Sequence, residues 1–270
     1  HNCGVGRTFT NFLKDQSPML YDQYVMERYK EGLTGKGTQT ASPKFDFKKP
    51  VFKTSKVVDL TPISELNTEH PARDYLERRK IEELELFYYC PKFKDWTNRQ
   101  KKTFDTLRQD SARIIIPLRN KDGTMFGFQG RSLAPKAKIR YITIMLDDSM
   151  PKVYGLDRVD PTKEVYVTEG PFDSHFIANA IAMCGSDVNL SGYDYRFVYT
   201  YDNEPRSREI VAKITSTIKA GHKVVIFPKS IKEKDLNDMA LAGHDVQSLV
   251  ESNTYSGLEA TLKMNEWKRV

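Results

Sequence analysis

Three strand-like runs each stop at a pair of acids. "EVYVTEGPFDS" ends in Glu169-Gly170 and soon reaches Asp173; "RFVYTYDNE" ends in Asp202 and Glu204; "HKVVIFP" leads into "KDLNDM", with Asp235 and Asp238. The lead acids Glu169, Asp202 and Asp235 recur at intervals of 33 residues, about one strand–helix unit. Carboxylates gathered in one place repel, and the repulsion is tolerated where a cation or a proton shares the site. An all-oxygen donor set favours a hard divalent ion, Mg2+ (or Mn2+), over zinc or copper, and with it phosphate chemistry. Any one of these aspartates alone reads as a helix N-cap. Three lead acids in register read as a site.

For such acids to meet, their strands must run parallel, because only then do all the carboxyl ends lie on one sheet edge. The sequence from 163 onward alternates strand and helix as that requires. "PFDSHFIANAIAM" sets Phe172, Phe176, Ile177, Ala180 and Ile181 at helical spacing, and "SREIVAKITSTIKAG" does the same with Ile210, Val211, Ile214 and Ile218. Gly221 and Gly243 stand where helix C-caps belong. Asp202 and Glu204, at i and i+2, point to one side if the chain there is extended.

Upstream lies a different texture. "SARIIIPLRNKDGTMFGFQGRSL" reads as a β-hairpin whose Lys121-Asp122-Gly123 supplies the tight turn. "RYITIM" and "PKVYGL" read as short extended pieces, and "HPARDYLERRK" as a surface helix entered at Pro71. Between 101 and 152 there are eleven Lys and Arg against five Asp and Glu, so the basic surplus is concentrated here. Arg131, in "GFQGR", sits among glycines and an aromatic residue and suits a phosphate contact better than a solvated lysine does. Residues 31–56 show neither helical nor strand period and read as a basic linker. Residues 1–30 read as the end of a small module and a helix. Cys3 is either a lone thiol or the last ligand of a zinc ribbon whose partners precede His1.

The bulk composition sets limits. The 270 residues carry a net charge of +6 and 29% charged side chains, and no apolar run is long enough to span a bilayer. Three scattered cysteines make no disulfide framework, which suits a reducing cytosol. A basic chain of this kind favours an anionic partner.

Glu-Gly then Asp at 169–173, the acidic pair at 202 and 204, and Lys-Asp-x-Asn-Asp at 234–238 resemble the toprim motifs shared by bacterial-type primases, topoisomerases and some nucleases. The basic segment and "HPARDYLERRK" are similar to what precedes the toprim domain in the primases. From about residue 8 onward the order resembles most closely the primases of T-even-type bacteriophages. The resemblance implies an α/β fold: a toprim-type parallel sheet flanked by helices, preceded by a smaller basic α+β subdomain and a zinc-ribbon remnant on a flexible linker. The expected divisions are 1–30, 31–56, 57–160, 161–246 and a C-terminal helical tail, 247–270.

It also implies a template-dependent RNA polymerase that makes short RNA primers on single-stranded DNA from ribonucleoside triphosphates. Its partner would be a replicative ring helicase, and its setting the cytoplasm of a bacterial host. Glu169, Asp202, Glu204 and Asp235 would be the catalytic and Mg2+-side acids, and Cys3 a Zn2+ ligand. Arg113, Arg131, Arg140, Lys152 and Lys234 would contact nucleic acid or nucleotide. The second motif departs from the family in reading Asp-x-Glu, where most toprim proteins have Asp-x-Asp. Two other readings fit the same acids or the same charge: a toprim nuclease, and a non-catalytic subunit that loads a helicase on DNA.

Overall fold

The structure is a computed structural model and describes residues 9–30, 60–185 and 188–270; Cys3 and the linker expected over 31–56 lie outside them. The chain divides into two compact units, His1–Val51 and Phe52–Val270. In the first, α1 (Phe9–Gln16) and α2 (Pro18–Lys30) replace the single helix that the spacing suggested. The break falls before Pro18, which has no N–H to donate and so suits the first position of a new helix.

The second unit contains two sheets. The first has strand order β1-β2-β3-β4-β5, antiparallel throughout: β1 (Thr61–Pro62), β2 (Tyr88–Cys90), β3 (Arg113–Arg119), β4 (Met125–Ser132) and β5 (Tyr141–Met145). Helices α3 (Pro71–Arg78) and α4 (Phe93–Gln100) interrupt it in sequence. Pro71 begins α3 as expected, and the β3–β4 hairpin turns at Gly123 with φ +84°. Pro117 lies inside β3, yet breaks nothing: β2 pairs only with 113–115, so the prolyl nitrogen needs no partner on that side. Gly130 has a steric cause, since a Cβ there would come within 2.3 Å of the Phe93 ring.

The second sheet has the order β11-β10-β9-β7-β8-β6. Strands β7 (Glu164–Thr168), β8 (Ala180–Met183), β9 (Arg196–Thr200) and β10 (Lys223–Val225) are parallel; β6 (Val153–Tyr154) and β11 (Thr254–Tyr255) close the edges antiparallel. One face carries α6 (Leu236–Leu241) and α7 (Val246–Ser252) over Val198, Val225 and Tyr166. The other carries α5 (Arg208–Lys219) and α8 (Gly257–Trp267) over Tyr201, Val224 and Ile226. Gly221 and Gly243 adopt φ +83° and +91° just beyond α5 and α6, the left-handed geometry a helix end favours.

One sequence expectation fails here. "PFDSHFIANAIAM" is not a helix but a 3-10 turn, Asp173–Phe176, followed by strand β8. Asn179 ends the turn in the left-handed region at φ +56°, and its side-chain amide donates to the carbonyls of Asp160 and Glu164. The short apolar run "AIAM" then gains a parallel partner in β7, and sheet pairing overrides the helical spacing.

The two sheets share a core. Ile114, Ile116 and Leu118 of β3 belong to one buried cluster with Val165 and Val167 of β7, Ile181 of β8 and Phe197 of β9. At roughly 1.5–3 kcal/mol for each such side chain, this contact fixes the basic sheet relative to the strand ends that carry the acids.

Candidate active site

The turn after β7 is shaped by Thr168, whose hydroxyl donates to the carbonyl of Gly170 at 3.0 Å. Gly170 is required by space: a Cβ there would lie 2.7 Å from Asp173 Oδ2. The Glu-Gly-x-x-Asp spacing therefore lets the Asp173 carboxylate fold back against the turn that presents Glu169. The backbone N–H of Asn237 donates to Asp173 Oδ1 at 3.3 Å. Asn237 is in turn held by Arg79, which donates from Nη1 to Asn237 Oδ1 at 2.8 Å while its guanidinium covers the Tyr75 ring.

After β9 the chain is not extended. The N–H of Glu204 donates to the carbonyl of Asp202 at 2.8 Å, a tight three-residue turn. Asn203, between the acids, points away from them: its amide donates to the carbonyls of Ile231 and Glu233, and its Oδ1 accepts from the Trp267 indole. The turn separates the pair. Asp202 lines the main cleft and Glu204 a neighbouring cavity of about 590 Å³. Lys234 bridges them, 3.4 Å from Asp202 Oδ2 and 3.2 Å from Glu204 Oε1.

Asp235 meets the backbone and the cleft at once. It is the N-cap of α6, accepting from the Asp238 N–H at 2.8 Å, and it also faces the main cleft. That cleft, about 1160 Å³, has Glu169, Asp173, Asp202 and Asp235 together at the carboxyl edge of the parallel strands. Crowding and burial show in their acidities. Burial first, then Asp235 and Asp202, push Asp173 up to about 7. Burial, then Glu169, push Asp202 up to about 6 against the pull of Lys234.

Two lysines supply counter-charge. Lys213 of α5 lies 2.8 Å from Glu169 Oε1 and 3.0 Å from Glu209, and Lys234 serves the second pair. In this arrangement, among the described residues, no three His, Cys, Asp or Glu side chains converge tightly enough to enclose a metal ion. The donors themselves are hard oxygens, and a divalent cation would relieve the burial and crowding that raise the pKa of Asp173 and Asp202, so their chemistry fits Mg2+.

The basic residues divide. Arg113 is buried: Nη1 donates to the carbonyls of Gly130 and Arg140, Nη2 to that of Ile139, and the group lies over Phe93. It holds the first sheet together rather than offering its guanidinium to a phosphate, which corrects its assignment as a contact. Arg131 is half-buried between the rings of Tyr75 and Tyr141, and its Nε donates to the Tyr75 hydroxyl. Tyr141 lines the main cleft, which sets Arg131 beside it. Arg140 is exposed and Lys152 half-buried. Lys234 belongs to the acids.

Arg79, Lys213 and Asn237 escaped the sequence reading. Only Asn237 had a local signal, as the Asn of Lys-Asp-x-Asn-Asp; Lys213 lies 44 residues from Glu169 and joins it only through the fold.

No family model matches the chain. It is 30% identical to the DNA primase of Enterobacteria phage T4 over 280 residues, covering all of this chain and 81% of that protein. In structure it is similar to the zinc-binding and RNA polymerase domains of Aquifex aeolicus primase, with TM-score 0.53 and 16% identity over 94% of this chain and 72% of that one. It is also similar to the RNA polymerase domain of Mycobacterium tuberculosis primase DnaG, solved with double-stranded DNA bearing a 6-nucleotide overhang. There the TM-score is 0.55 and the identity 18%, over 74% of this chain and 78% of that one.

Proposed function

The chain belongs to the DNA primase family, and from that premise we propose that it copies single-stranded DNA into short RNA primers at the cleft that gathers Glu169, Asp173, Asp202 and Asp235. The gathering of four carboxylates from three strand ends is the observation that carries this reading. Bound there, Mg2+ would supply the charge that neutralises a ribonucleoside triphosphate and lowers the pKa of the attacking 3′-hydroxyl.

The chain's own residues do the rest. Glu169, Asp202 and Asp235 would hold the cations, with Asp173 beside them; Asp173, which burial and its acidic neighbours push up to about 7, is suited to hold a proton near pH 7. Lys213 and Lys234 balance the carboxylates and would yield to the cation. Glu204 lies one turn away, on the cavity that Arg206, Lys229 and Arg269 also line, and would act on the outer side of the site. Arg79, through Asn237, positions Asp173. Arg131, Arg140 and Lys152 would meet the phosphates of template or nucleotide.

The parts fit one task. Template choice is assigned to a Zn2+ ribbon that includes Cys3, tethered by 31–56, and the primers would serve a replication fork driven by a ring helicase in the cytoplasm of a bacterial host. We assign 57–160 to strand contact and 161–246 to chemistry, with 247–270 closing the second sheet through β11 and α8.

The test is primer synthesis by the purified chain with single-stranded DNA, ribonucleoside triphosphates and Mg2+. RNA whose sequence follows the template supports the reading. Cleavage of the DNA without RNA synthesis would replace it by the nuclease reading.

A further inference from the structure

The main cleft has a floor that the acids do not explain. Tyr193, Tyr195, Phe197, Tyr199 and Tyr201 alternate along β9 and the residues before it, with successive ring centroids 5.3, 5.7, 6.1 and 6.1 Å apart. All five line the cleft, and Tyr201 abuts Asp202.

A parallel sheet ordinarily has both faces covered by its crossover helices. The crossover from β8 to β9 returns past β7, and among its described residues it carries no helix. Among the described residues this face is therefore covered on its two sides. Phe197 packs into the core shared with the first sheet, Tyr201 into the layer of α5 and α8, and Tyr199 touches both. Between them the rings of Tyr193, Tyr195 and Tyr199 are only half-buried. Packing against the neighbouring cores accounts for part of each ring, and all three line the cleft. The inner rung is fixed, because the Tyr201 hydroxyl hydrogen-bonds Thr217 of α5 at 2.7 Å.

Cations flank the rings at both ends. Lys121, on the turn of the β3–β4 hairpin, lies 5.2 Å from the Tyr195 ring centroid, and Lys213 stands beside the acids. Half-exposed rings between cations suit a ligand that alternates flat faces with negative charges. Single-stranded nucleic acid is such a ligand, and aromatic rings hold it irrespective of sequence because every base has a π-face.

We propose that Tyr193, Tyr195 and Tyr199 form a stacking platform for the unpaired bases of the DNA template on its way to the carboxylates. This rests on the template-copying reading above. In that reaction the nascent RNA is base-paired as it forms, so its bases already lie in a duplex stack. The template ahead of the site alone presents free base faces, which commits the platform to DNA.

The test is fluorescence anisotropy of a labelled oligothymidylate with the full chain, without divalent cation, across a salt series. Tyr195→Ala is expected to weaken binding about five- to 150-fold, the effect of losing one stacked base. The slope of log K against log salt should stay the same, because no phosphate contact is lost. Tyr195→Phe should bind as the parent does, and an abasic strand of equal length should not distinguish parent from Tyr195→Ala. Tyr193→Ala, on the neighbouring rung, repeats the test should Tyr195→Ala fail to fold. Folded alanine variants that bind oligothymidylate within twofold of the parent would overturn the platform, as would an equal loss on the abasic strand. Primer synthesis by the parent is scored separately. A chain that makes primers while both alanine variants bind normally loses the platform and keeps the function; a chain that makes none while they bind weakly does the reverse.

Discussion

Lys213 Nζ lies 2.8 Å from Glu169 Oε1, so an ammonium group from α5 sits on the lead acid of the site. Both side chains are partly shielded, at 32% and 21% exposed, and the pair contributes on the order of 1 kcal/mol or less. Lys213→Met is expected to lower the melting temperature in chelator, and the deficit should shrink as Mg2+ is added, because a cation that binds only the folded site replaces the lost charge. The check is a thermal melt of both proteins across an Mg2+ series. A deficit that stays constant would place Lys213 in packing alone.

Asp202→Asn is expected to reduce primer synthesis by at least about 100-fold. In chelator the variant should be no less stable than the parent, because burial and Glu169 disfavour the ionised carboxyl that the substitution removes. Synthesis rates at matched Mg2+ and a denaturant melt decide it, and parental turnover in the variant would sink the role of Asp202.

Arg131→Ala and Arg113→Ala should part company. Loss of Arg113 takes donors from the carbonyls of Gly130, Ile139 and Arg140, and is expected to cost about 2–4 kcal/mol of stability. Loss of Arg131 should leave folding nearly intact and reduce the salt slope for single-stranded DNA by about 0.7, one phosphate contact. An unchanged slope would return Arg131 to a purely structural role between Tyr75 and Tyr141.

His175 predicts a pH effect away from the acids. Its Nδ1 meets Glu83 and its Nε2 the Tyr154 hydroxyl, and burial holds the imidazole below its ordinary value against the opposing pull of Glu83. Below about 6.5 the unfolded chain takes up a proton there that the folded chain still refuses, so the stability this group contributes is lost as pH falls. Asp173 and Asp202, with raised values, work in the opposite sense, losing stability as pH rises toward about 7 and about 6. The stability difference between the parent and His175→Gln cancels those shared terms. It should shrink between pH 7.5 and pH 5.5, and denaturant melts at the two values check this.

Local features were legible in the sequence: the Asp-Gly turn, Pro71 at a helix start, Gly221 and Gly243 beyond helix ends, and the acids at strand ends. Each depends on a few neighbouring residues. The aromatic alternation Tyr193-x-Tyr195-x-Phe197-x-Tyr199-x-Tyr201 was equally visible, but its openness was not, because that depends on how elements far apart in sequence cover the sheet face. Strand β8 was misread because five apolar residues mimic a helix face, and only the side-chain bonds of Asn179 reveal the break. The buried fate of Arg113 and the pairing of Lys213 with Glu169 depend on residues far apart in sequence, which no spacing records.

The loop that bears Asp202 is fastened from 64 residues downstream: the Trp267 indole donates to Asn203 Oδ1, and the Arg269 N–H to the Pro205 carbonyl. On a translating ribosome Asn203 meets its partners in two instalments, first the carbonyls of Ile231 and Glu233 and later Trp267. A chain without Trp267 would carry every acid and lose one of the bonds that hold that loop. The order in which the polypeptide is made thus sets the order in which the loop is fastened.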